Sequence, residues 1–318
     1  MENKRDKAPY HINSLKYSGW KGRLIFMWKG HVINWFWLPR EKRRNNRLIV
    51  HRDLLTKYLR KFIPYIESLK PSPVKDSTSV NNKVFSLWLQ GEDTAPEVVK
   101  KCFGSFRKYF GSDFTLIDET NLGDYITLPE FIMEKWDKGE ISAAHYSDVV
   151  RVELLWKYGG YWIDSTCFVT GEIPEVIKNA DFFMYLANGN SNPQMFVQNC
   201  FIRSKQGDPL LGMWRELMWE FLRREDYFKY YFTFQQLFKL LVTHNSYAKA
   251  LFDKMPKICM DPTHCLWYEI GNKPFNEKEY HKMCSEAFFQ KCSYKRMRHG
   301  VNEILPGSFA DYVMNGKV

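Results

Sequence analysis

Residues 145–166 read HYSDVVRVELLWKYGGYWIDST, and this stretch decides the fold. Val149, Val150, Val152, Leu154, Leu155 and Trp156 make a helix that is apolar nearly all round. Such a helix is buried rather than laid on the surface. Asp148 and Arg151, three residues apart, share one of its faces. A buried charge is costly unless it is paired or bound. Two readings are open: an internal ion pair, or a pair that grips a polar ligand such as sugar hydroxyls or a diphosphate. Gly159 suits a left-handed helix cap, and Gly160 lets the chain turn into a strand. That strand, Tyr161-Trp162-Ile163, ends at Asp164. In open α/β sheets ligands bind beyond the carboxyl ends of the strands. An Asp there, followed by the Thr166 hydroxyl, can hold a hard divalent cation on a diphosphate. A lone strand-end Asp is more often a turn residue; the helix ahead of it is what favours a site.

Working outward, short apolar runs alternate with helical stretches. Strands are expected at Val84 to Leu89, Phe114 to Ile117, Asp181 to Ala187 and Val197 to Ser204. Helices are expected from Pro96 to about Tyr109, after Pro129, from Ser142 to Tyr158, from Pro209 to Arg223 and from Tyr227 to Thr243. Strands alternating with helices imply an α/β sandwich with a mostly parallel central sheet. Asn199, in VQNCFIRSK, could reach a donor or acceptor, but reads first as an edge-strand turn residue. The Trp and Phe residues between Phe201 and Phe238 sit largely at helical spacing and read as core. His244, His264 and His281 are too dispersed for a metal triad.

The 318 residues suffice for one large domain or two small ones. The seven cysteines are scattered and form no CxxC pair, which favours a reducing cytoplasm over a disulfide framework. The start, MENKRDKAPY, lacks a signal-peptide layout. No stretch of about 18 apolar residues is free of charge.

The net charge of +10 is unevenly placed. Met1 to Lys75 holds 18 Lys and Arg against 5 Asp and Glu, a net of +13, so the remainder carries −3. This basic quarter also holds LIFMW at 24–28 and VINWFWL at 32–38. Trp and Phe beside Arg and Lys suit the headgroup layer of an anionic membrane. The alternative is an aromatic helical subdomain with a solvated basic face. No nucleic-acid recognition motif accompanies the charge. Leu54 to Leu69 reads as a helix interrupted near Pro64, and the Pro- and Ser-rich residues 71–79 read as a linker. The expected division is a basic, aromatic helical region over 1–80, touching a membrane through residues 20–61, and a catalytic domain over 81–318.

The pattern SD-x-x-R…KYGG-x-x-x-D-x-T resembles the capsular polysaccharide synthesis proteins, within glycosyltransferase family 32. Its spacing is also similar to that of the large clostridial glucosylating toxins. The resemblance runs from about Lys83 to Lys295 and takes in FSLWLQGEDTAPEVV, YFTFQQLFKLLV and the late CSYK. It implies a GT-A fold, a nucleotide-sugar donor (a UDP-sugar by preference) and retention of anomeric configuration. The acceptor it implies is a growing surface glycan or lipid-linked oligosaccharide, handled in the cytoplasm or on the cytoplasmic membrane face. By position, Trp88 and Gln90 match the residues that hold base and ribose. Ser147, Asp148 and Arg151 match the helix motif that contacts the donor sugar. Asp164 matches the first Asp of a DXD motif, and Tyr294 and Lys295 match a motif that closes over the diphosphate. Asp148, Arg151 and Asp164 are therefore the expected catalytic set. Asp164 and Thr166 are the expected ligands of Mn²⁺ or Mg²⁺. The departure from the pattern is Thr166, where DXD ends in Asp; a hydroxyl is a poorer ligand than a carboxylate. The rival reading is a catalytically impaired relative that scaffolds a membrane synthesis complex.

Overall fold

The computed structural model describes residues 18–71, 81–188, 195–226, 228, 230–296 and 300–318. The helices are α1 (Gly19–Met27), α2 (Ile33–Trp37), α3 (Arg40–Leu59), α4 (Ile63–Ser68), α5 (Glu97–Phe110), α6 (Leu122–Tyr125) and α7 (Glu130–Asp137). They continue with α8 (Ala143–Tyr158), α9 (Glu175–Lys178), α10 (Pro209–Arg224), α11 (Thr233–His244), α12 (Ser246–Lys254), α13 (Glu277–Glu286) and α14 (Phe309–Met314). The strands are β1 (Val84–Leu87), β2 (Phe114–Ile117), β3 (Gly160–Ile163), β4 (Cys167–Val169), β5 (Phe182–Leu186), β6 (Val197–Ser204) and β7 (Phe289–Lys291).

The fold is α/β, with a five-stranded sheet in the order β2-β1-β3-β6-β5 and a small antiparallel pair, β4-β7. The expectation of a mostly parallel sheet holds for the four strands that run the same way and fails at β6. β1 runs parallel to β2 and β3, but β6 is antiparallel to both β3 and β5. The reason lies in burial. Every residue of β6 is buried, and a strand covered on both faces has no alternation from which direction could be read.

Helix α8 packs against β1, β3 and β6, buried from His145 to Leu155 except at Ser147. Two glycines then bring β3 into the sheet. Gly159 and Gly160 have φ of +68° and +92°, values that side chains with a Cβ rarely adopt. A Cβ on Gly159 would lie 2.5 Å from the Gln206 amide nitrogen, and one on Gly160 would lie 2.3 Å from the Lys83 carbonyl. The turn therefore demands glycine for conformation and for space together. It is what delivers Asp164 to the carboxyl end of β3, where its amide donates to the Cys200 carbonyl at 2.8 Å.

The helix expected over 54–69 is broken before Pro64, with α3 ending at Leu59 and α4 starting at Ile63. Leu55, Leu59, Phe62 and Ile66 join the same core as the sheet, and the Asn245 side chain donates to the Ile66 carbonyl at 2.7 Å. Residues 18–54 instead form a helical hairpin with a small core of its own, Val50 and Leu54 under Phe26. The linker expected over 71–79 and the boundary after residue 80 fall, apart from Pro71, outside the described residues. The helix expected from Tyr227 begins at Thr233, whose hydroxyl donates to the Tyr230 carbonyl at 2.6 Å. Among the described residues no helix is long and apolar enough to cross a membrane.

Candidate active site

A cleft of about 910 Å³ opens beyond the carboxyl ends of β1 and β3. Its walls gather residues from separate parts of the chain. The turn after β1 supplies Trp88 and Gln90, helix α8 supplies Ser147, Asp148 and Arg151, the turn after β3 supplies Asp164 and Thr166, and the segment after β7 supplies Tyr294 and Lys295. Every site residue expected from sequence thus lines one cavity.

Arg151 organises the floor. Its guanidinium lies 3.1 Å from Asp148 Oδ1 and 3.3 Å from Asp164 Oδ1. It also donates to the Asn199 carbonyl at 2.7 Å, to the Ser147 carbonyl at 3.2 Å and to the Ser147 hydroxyl at 3.0 Å. The planar guanidinium has five donors in a fixed fork, and no ammonium could serve these acceptors together. It also stacks near Trp162, 4.9 Å from the ring centre. Asp148 and Arg151 therefore form the internal ion pair of the first reading, and both line the cleft.

Asn199 belongs to the site. It was expected at an edge-strand turn, but β6 is flanked by β3 and β5. Its buried side chain donates to Asp148 Oδ1 at 2.8 Å and accepts from Gln235 at 3.0 Å. Gln235, on α11, was absorbed into the apolar reading of that helix. Its Oε1 is buried without a hydrogen-bond partner, as is Trp88 Nε1, and both residues line the cleft. A buried polar atom left unpaired costs about 1–3 kcal/mol.

Lys291, at the end of β7, is the second residue that sequence reasoning missed. Its Nζ lies 2.7 Å from Asp164 Oδ2. The preceding Phe289-Gln290-Lys291 is a strand of three residues, too short to leave a periodic trace. Its pairing with β4 and the 2.7 Å bond from the Cys292 amide to the Thr166 carbonyl bring it to the Asp164 turn. Lys295, the lysine expected over the diphosphate, is exposed at the rim, with its Nζ 5.7 Å from the Tyr294 ring centre. Tyr294 in turn meets Trp88 edge-on at 5.5 Å.

The two carboxylates differ in electrostatic state. Burial pushes Asp148 up to about 6, and Arg151 offsets this only in part. Burial would raise Asp164 too, but Lys291 and Arg151 overcome it and hold the group at about 2. Burial by itself would lower Lys291, yet Asp164 keeps it well above its ordinary value. At neutral pH the cluster is two carboxylates against two cations, close to balance without a ligand.

This arrangement bears on the expected Mn²⁺ or Mg²⁺. Asp164 Oδ1 accepts from Trp162 Nε1 at 2.9 Å and faces Arg151, while Oδ2 is taken by Lys291. A divalent ion on Oδ2 would have to displace a lysine ammonium. Among the described residues no three His, Cys, Asp or Glu side chains gather to hold a metal. The donor set as arranged does not fit an ion held by the protein.

A sequence model described as capsular polysaccharide synthesis protein matches residues 33–311. The chain belongs to the capsular polysaccharide synthesis protein family. Within this family member, the matched span covers α3, the whole sheet and every cleft residue named above. An O-glycosyltransferase, braB, from Annulohypoxylon truncatum is 27% identical over 158 residues. That match covers 43% of this chain and 37% of the relative, so the chain spans well under half of that relative's length. Among solved structures, the PaToxG glycosyltransferase is similar at 14% identity and a TM-score of 0.37, over 62% of this chain and 79% of that one.

Proposed function

We propose that this chain is a glycosyltransferase that moves a sugar from a nucleotide-sugar, a UDP-sugar by preference, to a growing surface glycan. The observation that carries the reading is the cleft itself. A fixed Asp–Arg–Asp row lies on its floor, and a lysine ammonium stands at one end. Family membership and the name of the relative, O-glycosyltransferase, support the same reading. The reading takes the fold as GT-A, with residues 81–318 as the catalytic part and 1–80 as a region for placement.

The cleft divides by charge. At the Asp164 end, Lys291 and Lys295 would meet the diphosphate. Asp148, Asn199 and Gln235 would take the sugar hydroxyls, and Trp88 and Gln90 the base and ribose. The acceptor hydroxyl attacks the anomeric carbon from the face the diphosphate leaves. The carbon–oxygen bond to the nucleoside diphosphate breaks, and the departing phosphate oxygen takes the acceptor's proton. Configuration is retained. The protein contributes positioning and neutralisation of charge on the leaving group. Lys291 supplies the positive charge that a cation would bring.

The test is a panel of UDP- and GDP-sugars, measured for hydrolysis with Mn²⁺, with Mg²⁺ and with EDTA. A cognate donor should be turned over, and turnover should survive EDTA. An enzyme that works only with added metal would remove Lys291 from this role. Turnover of no donor under any condition would favour the scaffold reading.

A further inference from the structure

Helix α1, the π-helical turn Trp28–Val32 and α2 follow one another as a single rod, and α3 packs back along it after Leu38 and Pro39. The packed face is spaced by fours. Gly22 and Gly30 are buried, and between them Phe26 rests on Val50 and Leu54, its ring 6.0 Å from that of His51. The Asn46 side chain closes the hairpin by donating to the Lys29 carbonyl at 2.8 Å.

The rest of the rod is apolar and open to water. Trp20, Leu24, Trp28, Trp35, Phe36 and Trp37 range from 49% exposed at Leu24 to 81% at Trp37. Single exposed apolar residues are ordinary, but six of them along one short rod mark a contact surface. Its charge says what it contacts. No Asp or Glu occurs from residue 18 to residue 40. Lys21, Arg23 and Lys29 are exposed among the rings, and Lys42 and Arg47 are exposed on α3. Indole rings prefer the boundary where one side is apolar and the other wet, and nearby cations find anionic headgroups there. The rod is too charged and too short in apolar length to span.

We propose that this face of the hairpin docks on an anionic lipid bilayer, with the Trp and Phe rings in the headgroup layer and the lysines and arginines over acidic lipid. The docking stands on the hairpin alone. A consequence for function rests on the transferase reading. The His51 ring packs 4.3 Å from that of Tyr230, beside Tyr231 in the cleft wall. A docked hairpin would therefore hold the cleft close to a membrane-borne acceptor.

Co-sedimentation of the full chain with vesicles tests this, using phosphatidylcholine alone and phosphatidylcholine with phosphatidylglycerol. Binding to the anionic vesicles should exceed binding to the neutral ones by about tenfold or more and should weaken as salt rises. The triple variant Trp28→Ser/Trp35→Ser/Trp37→Ser should lose about tenfold of it with its melting temperature kept. The variant Lys21→Gln/Arg23→Gln/Lys29→Gln should lose the preference for anionic lipid. Equal binding to both vesicle types, or unaltered binding by both variants, would overturn the proposal. So would a wild-type dimer that ignores vesicles and becomes monomeric in the Trp variant, since the face would then join two copies of this chain.

Discussion

Helix α8 and the α1–α2 rod have much the same texture in sequence: bulky apolar residues with a few charges set among them. In the fold they are opposites. α8 is buried along most of its length, and each of its inward charges has a partner: Asp148 meets Arg151 and Asn199, and Glu153 meets Arg215 at 2.9 Å. The rod leaves its rings in water and its cations without an acid in the same stretch. Apolar content alone therefore does not say where a helix goes. What separates the two is whether the rest of the chain supplies counter-charges and a sheet to lie on. A helix with both becomes the floor of a site, and one with neither keeps a face for something outside the chain.

The sharpest way to break the α8 side of the comparison is Arg151→Ala. It leaves Asp148 and Asp164 facing each other without the guanidinium, and removing one partner of a buried pair costs about 3–5 kcal/mol. Thermal melting should show the loss, and transfer should vanish with it. A variant that melts like the wild type would mean that the pairing is decorative. Next comes Lys291→Ala, which should lower turnover by about 10²–10³, the usual cost of removing one donor to developing charge. Turnover near the wild-type rate would show that the diphosphate is neutralised elsewhere.

Gly160→Ala probes the turn that aims Asp164. The positive φ costs of order 1–3 kcal/mol, and the approach to the Lys83 carbonyl adds to it. Chemical denaturation should show a fall of at least that size. A smaller effect follows from Asp148. Its folded value of about 6 lies above the ordinary 3.8. Between these values the unfolded chain has lost the proton and the folded chain has kept it. Stability therefore falls as pH rises from about 4 to 6, by this group alone. Asp148→Asn should flatten that slope, as read by denaturation across the same window. Turnover should rise through pH 6 as the carboxylate becomes available to sugar hydroxyls. The smallest effect is expected on the rod, where Trp37→Ser should change stability by about 0.5 kcal/mol or less, as exposed sites do. A larger loss would mean that the ring is packed after all, which would erase the contrast with α8.

Residues Ser147 to Thr166 were legible because charge inside an apolar helix, a double glycine and a strand-end Asp are local features. Their physical reasons lie within twenty residues of each other. The direction of β6 was not legible, because a strand buried on both faces carries no alternation. Asn199 was misplaced for the same reason: nothing local marks β6 as central. Lys291 lies 127 residues from Asp164 along the chain. Only the pairing of two three-residue strands joins them, and so short a pairing leaves no pattern to read. Gln235 was hidden by its neighbours, since a glutamine among Phe234, Leu237 and Phe238 looks like a tolerated exception until the cavity beside it is seen.

The central claim is that the cleft has a diphosphate end at Asp164 and Lys291 and a sugar end at Asp148, Asn199 and Gln235. Thermal stabilisation by a nucleoside diphosphate and by the corresponding nucleotide-sugar, in wild type and in Asp148→Asn, tests it most directly, because a ligand of the folded state raises the melting temperature by mass action. The account predicts that the diphosphate stabilises both proteins alike, that the nucleotide-sugar adds a further increment in the wild type, and that Asp148→Asn loses this increment. An increment that survives in Asp148→Asn, or a diphosphate that stabilises neither protein, would contradict it.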